Sequence, residues 1–427
     1  MFKSSLFIIA ILLTAVTFLS AQKVAQKVSS EDSLKIEIEK LGKRLQLLET
    51  KNEEDALKKL REDAKKTAEE KPNTTIAQKT FKSGQRSLQA INPEISVTGD
   101  AYAQDVLNED GFTQTARSGA YFRVVGLHIQ SNLDPFSLTK ITIEITPDGI
   151  ELGEAYVTWN KLFANISLTA GKFRQQFGVL NRWHVHSLDQ FSFPLALKTI
   201  LGDEGLNQIG VSFNWLMPSL IAHSNMLTVE ITNGQNDHLF SGEMFSFPAL
   251  LAHFKNYYDL NQNTYLEWGV SAMNGKNNLK GYNEQGTKII EANRNTNLAG
   301  FDLTLFWEPI NQAHYHSLLW RSELYYLNKK IAPDTSLKAW GGYSYLEYKF
   351  NERLFGGVRL DYTLPYKIDN SGEYIYGIVP YITWWQSHWA RFRLQYNYTN
   401  GTLFNRADQK LRLQFTWAIG PHKHDRY

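Results

Sequence analysis

From residue 94 to the C-terminus, apolar and polar residues alternate in about sixteen runs, each separated from the next by a turn. In residues 388–400, for example, Phe392 and Leu394 share one face, and Arg391 and Arg393 share the other. Successive side chains of a β-strand point to opposite faces. The pattern therefore predicts strands with an apolar, aromatic face and a polar face. This is typical of a membrane barrel whose outside meets lipid and whose inside meets water.

The spacing of the runs predicts an all-β membrane barrel of about 16 antiparallel strands over residues 94–427. Even-numbered connections are mostly tight and odd-numbered ones mostly long, except for a tight turn at 147–149. The predicted long connections are 105–118, 174–205, 233–247, 275–296 and 401–409. Outer-membrane barrels have short periplasmic turns and long outer loops, so both termini are expected in the periplasm. Fourteen or eighteen strands, and a soluble β-sandwich or propeller, remain as alternatives.

The residues before the barrel predict three segments. Residues 1–21 read as a signal peptide, because Lys3 precedes an apolar run that ends near Ala21; a signal anchor is the alternative. Residues 22–71 are expected to form a periplasmic coiled-coil stalk, with a heptad seam that begins at Leu34 and Ile38. A single amphipathic helix would also explain that seam. Residues 72–93 read as a polar linker.

Composition narrows the function. The chain has 427 residues, a net charge of +2, 13% aromatic residues and no cysteine. The small net charge gives no basic field for a nucleic-acid partner. The lack of cysteine excludes disulfides and thiolate chemistry, and it fits export through an oxidising compartment. The high aromatic content fits the girdles of a membrane barrel, with outer-membrane lipid as a partner.

The connection 174–205 is the longest in the predicted barrel and holds both apolar and charged residues. Such a mixture suits a loop folded back into the lumen, with its apolar side on the wall and its charges towards the passage. An ordinary surface loop is the alternative. The residues predicted at this constriction are Arg174, Arg182, His184, His186, Asp189 and Lys198.

Four short segments lie in or beside this loop: Gly171–Gly178, Asn181–His186, Phe193–Pro194 and Gly202–Leu206. They resemble a group of bacterial outer-membrane porin-like proteins related to the phosphate-selective porins, and the similarity is strongest over 150–217. Some of these proteins are labelled zinc-regulated TonB-dependent outer membrane receptors. The resemblance implies a sixteen-stranded barrel, a homotrimer, a constricting third loop and an N-terminal coiled coil. A TonB-dependent receptor needs a large plug and 22 strands, so a passive porin for small hydrophilic solutes is favoured.

If the alternation holds, the last strands place a row of basic side chains on the inner face. These residues are Arg359, Arg391, Arg393, Lys410 and Arg412. Arginine clusters recognise phosphate and carboxylate, so the row predicts a preference for anions. Acidic residues spread over the remaining inner faces leave weak or absent selectivity as the alternative.

The spacing of the histidines predicts a candidate zinc site. His184/His186 and His422/His424 are His-x-His pairs that could share a zinc ion, although two histidines fall short of the usual three or four protein ligands. Histidines that only make hydrogen bonds are the plainer interpretation. No nucleophile elbow, phosphate loop or His-Glu-x-x-His motif occurs in the sequence, so no enzyme activity is expected. A metal-related uptake protein and a pore-less structural or adhesive barrel remain as alternatives to the porin.

Overall fold

The computed structural model describes residues 93–108, 117–163, 165–240, 248–365 and 372–420. The predicted signal peptide, coiled-coil stalk and nearly all of the linker lie outside these ranges, as do His422 and His424. Among the described residues, none of the helices has the length and apolar character needed to cross a membrane.

Sixteen antiparallel strands form one closed barrel, in which β1 pairs with both β2 and β16. The predicted strand number and closure are confirmed. The strands are β1 Glu94–Asn108, β2 Gly119–Asn132, β3 Ser137–Thr146, β4 Gly149–Phe163, β5 Ile166–Arg174, β6 Asn207–Met217, β7 Ser224–Thr232, β8 Ala249–Asn261, β9 Thr264–Tyr282, β10 Lys288–Trp307, β11 Ser317–Ala332, β12 Thr335–Lys349, β13 Leu354–Thr363, β14 Ile375–Ser387, β15 Ala390–Gly401 and β16 Asp408–Ile419.

The outer face of the barrel is apolar and carries aromatic clusters near both ends. Even-numbered connections meet at one end, here called the short-turn end, and odd-numbered ones meet at the other, the long-loop end. Near the long-loop end, Tyr362 packs against Trp340, with 5.0 Å between the ring centroids. Near the short-turn end, Phe392 stacks between Trp384 and Phe415. Aromatic rings at two levels are typical of the interfacial girdles of a membrane barrel.

The prediction of a long loop at 275–296 is wrong. Strands β9 and β10 continue through most of this segment, and only residues 283–287 connect them. The sequence there is polar on both faces, so it lacks the alternation that marked the other strands. Cross-strand contacts of polar side chains extend the hairpin, such as the 3.0 Å hydrogen bond that Asn277 Nδ2 donates to Thr296 Oγ1.

Residues 175–206, here called L3, join β5 to β6 and lie inside the barrel. L3 contains two short 3-10 turns, at Leu180–Arg182 and Val185–Ser187, and one helix, α1 Leu195–Leu201. The helix ends at Gly202, whose φ of +96° is a conformation that glycine adopts without strain. Leu197, in α1, is completely buried.

Part of the interior is a hydrophobic core, which corrects the prediction of a lumen that meets water throughout. Helix α1 packs against β11, β12 and β13. Inward-facing residues such as Leu298, Leu327 and Ala339 are buried in one cluster with α1. Leu239 of the loop after β7 joins the same cluster. The apolar residues on the inner faces of these strands contact L3 instead of water, and they are interspersed with buried charged residues such as Arg321 and Glu323.

Candidate functional site

The inner wall formed by β13–β16 and β1–β2 holds the middle of L3 by its backbone. Arg393 Nη2 donates a 2.9 Å hydrogen bond to the Leu188 carbonyl. Arg391 Nη2 donates to the same carbonyl at 3.2 Å and to the carbonyl of His186. Both guanidinium groups are buried. A carbonyl group accepts hydrogen bonds without cancelling a positive charge, so these arginines anchor the loop and remain cationic.

The same wall fixes the next turn of L3 from two sides. Arg359 Nη1 donates to the Ser192 carbonyl at 2.7 Å, and Arg123 Nη1 donates to the Phe191 carbonyl at 2.6 Å. The Phe191 amide in turn donates to Gln395 Oε1 at 2.9 Å. Buried backbone groups need such partners because water does not reach them.

The other two members of the predicted basic row contact side chains of the wall. Lys410 Nζ lies 2.9 Å from Asp408 Oδ2. Arg412 donates to Gln104 Oε1 and Asn397 Oδ1 at 3.2 and 3.0 Å. Its guanidinium group also lies 4.6 Å from the centroid of the Phe191 ring. The row is therefore on the inner face, where it both holds L3 and contacts the wall.

Next to β3 and β4, L3 is held by an imidazole between two carboxylates. His184 Nδ1 lies 2.9 Å from Glu144 Oε1, and His184 Nε2 lies 2.9 Å from Glu154 Oε2. An ionised carboxylate only accepts hydrogen bonds, so an imidazole that donates to two of them carries both protons. Burial alone lowers the pKa of His184, but the hydrogen bonds to Glu144 and Glu154 and the charge of Glu154 raise it above the usual histidine value.

Further ionisable groups surround this imidazole. The rings of His128 and His186 lie 5.4 and 5.6 Å from that of His184, measured between centroids. Lys140 Nζ is 3.7 Å from Glu154, and the Arg174 amide donates to Glu154 Oε1 at 3.1 Å. Arg174 also donates from Nη1 to the Glu204 carbonyl, which ties the two ends of L3 together.

Tyrosines and one glutamate hold L3 to the β11–β12 wall. The Leu180 amide donates to Glu323 Oε1 at 2.9 Å. The Tyr343 and Tyr325 hydroxyls donate to the same carboxylate at 2.5 and 2.8 Å. Tyr345 donates to Asp189 Oδ2 at 2.8 Å, so Asp189 is a buried anchor.

Among the described residues, cavities border L3 at two separate places. The first, here called the neutral cavity, has a volume of about 310 Å³ and lies along the inner faces of β3–β7; Arg182 of L3 lines it. The second, here called the charged cavity, has a volume of about 110 Å³ and lies at β12–β15. The charged cavity is lined by Asp189, Glu347, Phe355, Thr383, Trp385, Arg391 and Arg393.

The predicted constriction residues therefore separate into groups. Arg174, His184, His186 and Asp189 are buried, and Arg182 lines the neutral cavity. Lys198 lies apart from them on the exposed side of α1, where its Nζ is 2.8 Å from Asp203 Oδ1.

The zinc site at the His-x-His pairs stays a prediction. Over the ranges that the structure describes, no group of three or more His, Asp or Glu side chains is arranged to hold a metal ion. Both ring nitrogens of His184 face carboxylates, and His422 and His424 fall outside the described residues.

The sequence analysis missed several residues of the site, among them Arg123, His128 and the tyrosines that donate to Glu323 and Asp189. Arg123 occupies a bulge in β2, where the pairing with β1 shifts between Asp100 and Ala101, and its guanidinium group lies 3.3 Å from Asp100. Simple alternation does not reveal a bulge. His128 lies inside β2 without a neighbouring motif, and only the three-dimensional fold brings it to His184.

Comparison with known proteins supports the fold. No family model matches the chain. An uncharacterized protein of Aquifex aeolicus (strain VF5) is 27% identical over 332 residues, which are 69% of this chain and 67% of that protein. OprB of Pseudomonas putida has a TM-score of 0.54 at 9% identity, over 79% of this chain and 96% of that one.

Two further solved structures are similar. The outer membrane channel DcaP of Acinetobacter baumannii has a TM-score of 0.52 at 14% identity, over 77% of this chain and 96% of that one. The trimer form of the outer membrane protein OmpT of Vibrio cholerae has a TM-score of 0.51 at 12% identity, over 77% of this chain and 99% of that one. At such low identities these likenesses show a shared barrel fold.

Proposed function

We propose that this protein is an outer-membrane porin through which small hydrophilic solutes diffuse passively, and that L3 narrows its lumen. The observation that carries the proposal is a loop held across a closed sixteen-stranded barrel by side chains from opposite walls, such as Glu154 of β4 and Glu323 of β11. The apolar outer face with aromatic clusters near both ends supports a membrane location. The similar fold of an outer membrane channel, DcaP, points the same way.

The orientation and assembly form part of the proposal. The long-loop end faces the outside and the short-turn end faces the periplasm, because outer-membrane barrels have their long loops outside. Both ends of the barrel chain then lie on the periplasmic side, where the predicted stalk would stand. We propose a homotrimer, which is supported by the trimer form of the similar OmpT barrel.

Selectivity is proposed as a mild preference for anions. Arg391 and Arg393 keep their charge while they hold L3, and they line the charged cavity. Asp189 and Glu347 line the same cavity and offset much of that field. The preference should therefore be smaller than a continuous row of basic side chains would give.

Single-channel recording in a planar bilayer tests the proposal. The full chain, processed by the cell, should show stepwise conductance that closes in thirds, with a reversal potential shifted modestly towards anions in a salt gradient. Deletion of residues 180–200 should raise the unit conductance, since it removes most of L3. A barrel that is folded, as shown by a change in gel mobility on heating, but that gives no conductance would overturn the porin function. That result would favour a structural or adhesive role.

A further inference from the structure

The neutral cavity lies between L3 and the short-turn end of the barrel. Asn160 and Asn214 line it near the ends of β4 and β6 that lead into short turns, and Ser167 lines it near the start of β5. Gln176 and Arg182 of L3 line its opposite side. Its volume of about 310 Å³ equals about ten water molecules at about 30 Å³ each, which is enough room for a sugar-sized molecule.

Hydroxyl and amide groups form two cross-strand rows on the wall of this cavity. Thr158 pairs with Thr169, which pairs with Ser212 on the next strand. Ser167 pairs with Asn214 in the second row. Each of these groups can both donate and accept hydrogen bonds. The wall therefore suits a ligand that itself offers donors and acceptors in close succession.

The rows are already ordered by contacts within the wall. Thr158 Oγ1 and Thr169 Oγ1 are 2.9 Å apart. Asn214 Oδ1 accepts a 2.8 Å hydrogen bond from Thr228 Oγ1, which fixes the orientation of the amide. Side chains held in this way lose little further conformational freedom when a ligand binds.

The remaining lining adds apolar surfaces and one charge. Tyr156 and Phe173 contribute aromatic rings, and Arg182 is the single charged residue among those that line the cavity in the described structure. An anion would meet one cation, and a cation would meet no lining carboxylate. An apolar solute would separate the hydroxyl and amide groups from water without replacing their hydrogen bonds.

We propose that the neutral cavity is a binding site for uncharged polyhydroxylated solutes of the sugar class. Hydroxyl groups of the solute replace water on the threonine and asparagine rows, and its C–H faces pack on the aromatic rings. The proposal rests on the porin function, because it names the solute class that this passage would hold. It differs from the anion preference, which concerns the charged cavity.

Saturation-transfer NMR with sucrose tests binding without requiring conduction. The full-length protein is held in a detergent that has no sugar headgroup, and sucrose is titrated. The test variant is Thr158→Val with Thr169→Val, which removes both members of a hydroxyl pair while keeping their shape. We expect a saturable signal for the native protein and about a tenfold weaker affinity for the double variant, as for one or two lost hydrogen bonds.

A matched control removes a hydroxyl pair from the outer face. Ser322 Oγ donates to Ser344 Oγ at 2.8 Å across β11 and β12, so Ser322→Ala with Ser344→Ala changes the same kind of contact outside the cavity. This control should bind sucrose as the native protein does. Heat-modifiable migration on gels verifies that each barrel is folded, and Asn214→Ala replaces the threonine variant if that one does not fold.

Recording in planar bilayers then separates the two proposals. Saturable reduction of the ion current by sucrose, weakened in the double variant, supports both. A conducting channel with no saturable NMR signal, or with equal signals in the native, test and control proteins, overturns the sugar site and leaves the porin intact. A saturable NMR signal from a silent barrel keeps the site and overturns the porin.

Discussion

The two sides of the barrel interior hold L3 by different forces. On the β11–β13 side, α1 is buried in a hydrophobic cluster, with Leu197, Ile200 and Leu327 completely inaccessible to solvent. On the β3–β7 side, L3 leaves the neutral cavity open and is held near its rim by hydrogen bonds between His184 and two glutamates. Burial of apolar surface hardly depends on pH or salt, whereas contacts of ionised groups depend on pH.

The difference shows which part of L3 is fixed and which part is adjustable. Removing the packed side should release the loop under all conditions. Removing the hydrogen bonds of His184 on the polar side should change the conductance only gradually. The protonation state of His184 should affect the conductance as well. Four changes test that division, from the largest expected effect to the smallest: one on each side, one at the arginines of β15 between them, and one on the exposed side of α1.

Leu197→Ala should have the largest effect. A completely buried leucine loses about 2–5 kcal/mol of stability on truncation, because the transfer free energy is lost and a cavity remains. With α1 loosened from β12, the unit conductance should rise and fluctuate. Single-channel recording together with the temperature of heat modification measures both effects.

Leu413→Ala is the matched control for that prediction. Leu413 is 50% exposed on the outer face of β16, where the truncated side chain leaves no internal cavity. Its conductance should equal that of the native protein. Equal conductance of both variants would mean that packing of α1 does not hold L3.

The double variant Arg391→Ala with Arg393→Ala should have the next largest effect, a loss of about 2–3 kcal/mol of stability. The carbonyls of His186 and Leu188 lose their buried donors, and an unsatisfied carbonyl costs about 1–3 kcal/mol. Conductance should rise, and the anion preference should fall because two positive charges leave the charged cavity. The reversal potential in a salt gradient reports the second effect.

The single variant Arg393→Lys separates anchoring from selectivity. Lysine keeps the charge but lacks the planar fork that contacts Leu188, Thr383 and Gln414 together. Higher conductance with an unchanged reversal potential would show that Arg393 chiefly anchors the loop. A changed reversal potential at unchanged conductance would contradict the anchoring role.

The alternation of residues was enough to predict the barrel and its inner basic row. Phe392 and Leu394 lie on the outer face. Because successive side chains of a strand point to opposite faces, Arg391 and Arg393 must lie on the inner face. Their partners could not be predicted, because the carbonyl groups that accept from them belong to the backbone and leave no mark on the sequence. The bulge that turns Arg123 inward is equally invisible there.

The packed part of the interior shows a second limit of prediction from the sequence. Leu327 and Ala339 fall on the inner face of paired strands, where the pattern predicted contact with water. Whether an inward apolar residue meets water or a loop depends on where L3 folds. The length of L3 indicated that it is more than a turn, but not which wall it covers.

The pH dependence of His184 should be smaller than the effect of losing either anchor. Because its pKa in the folded protein is raised, the stabilisation is complete below the unfolded value of about 6.5 and is lost as pH rises through the folded pKa. Conductance should therefore be level at mildly acidic pH and increase above it. Recording between pH 5 and 9, a range of about four units around the histidine value, measures this.

Two variants show which imidazole causes the rise of conductance with pH. His184→Gln cannot titrate and should abolish the rise with pH. His128→Gln removes the neighbouring imidazole, whose ring centroid lies 5.4 Å from that of His184, and should keep the rise. A step that disappears with His128 and survives the loss of His184 would place the pH-sensitive contact on β2.

Lys198→Ala should have the smallest effect, although the sequence placed this residue at the constriction. Lys198 contacts Asp203 on the surface of L3, with 42% of its side chain exposed, and an exposed ion pair contributes about 0–1 kcal/mol. Conductance, reversal potential and the temperature of heat modification should all match the native protein. A measurable loss of anion preference would mean that the passage runs along the exposed side of α1, and the division between a packed and an adjustable side would then fail.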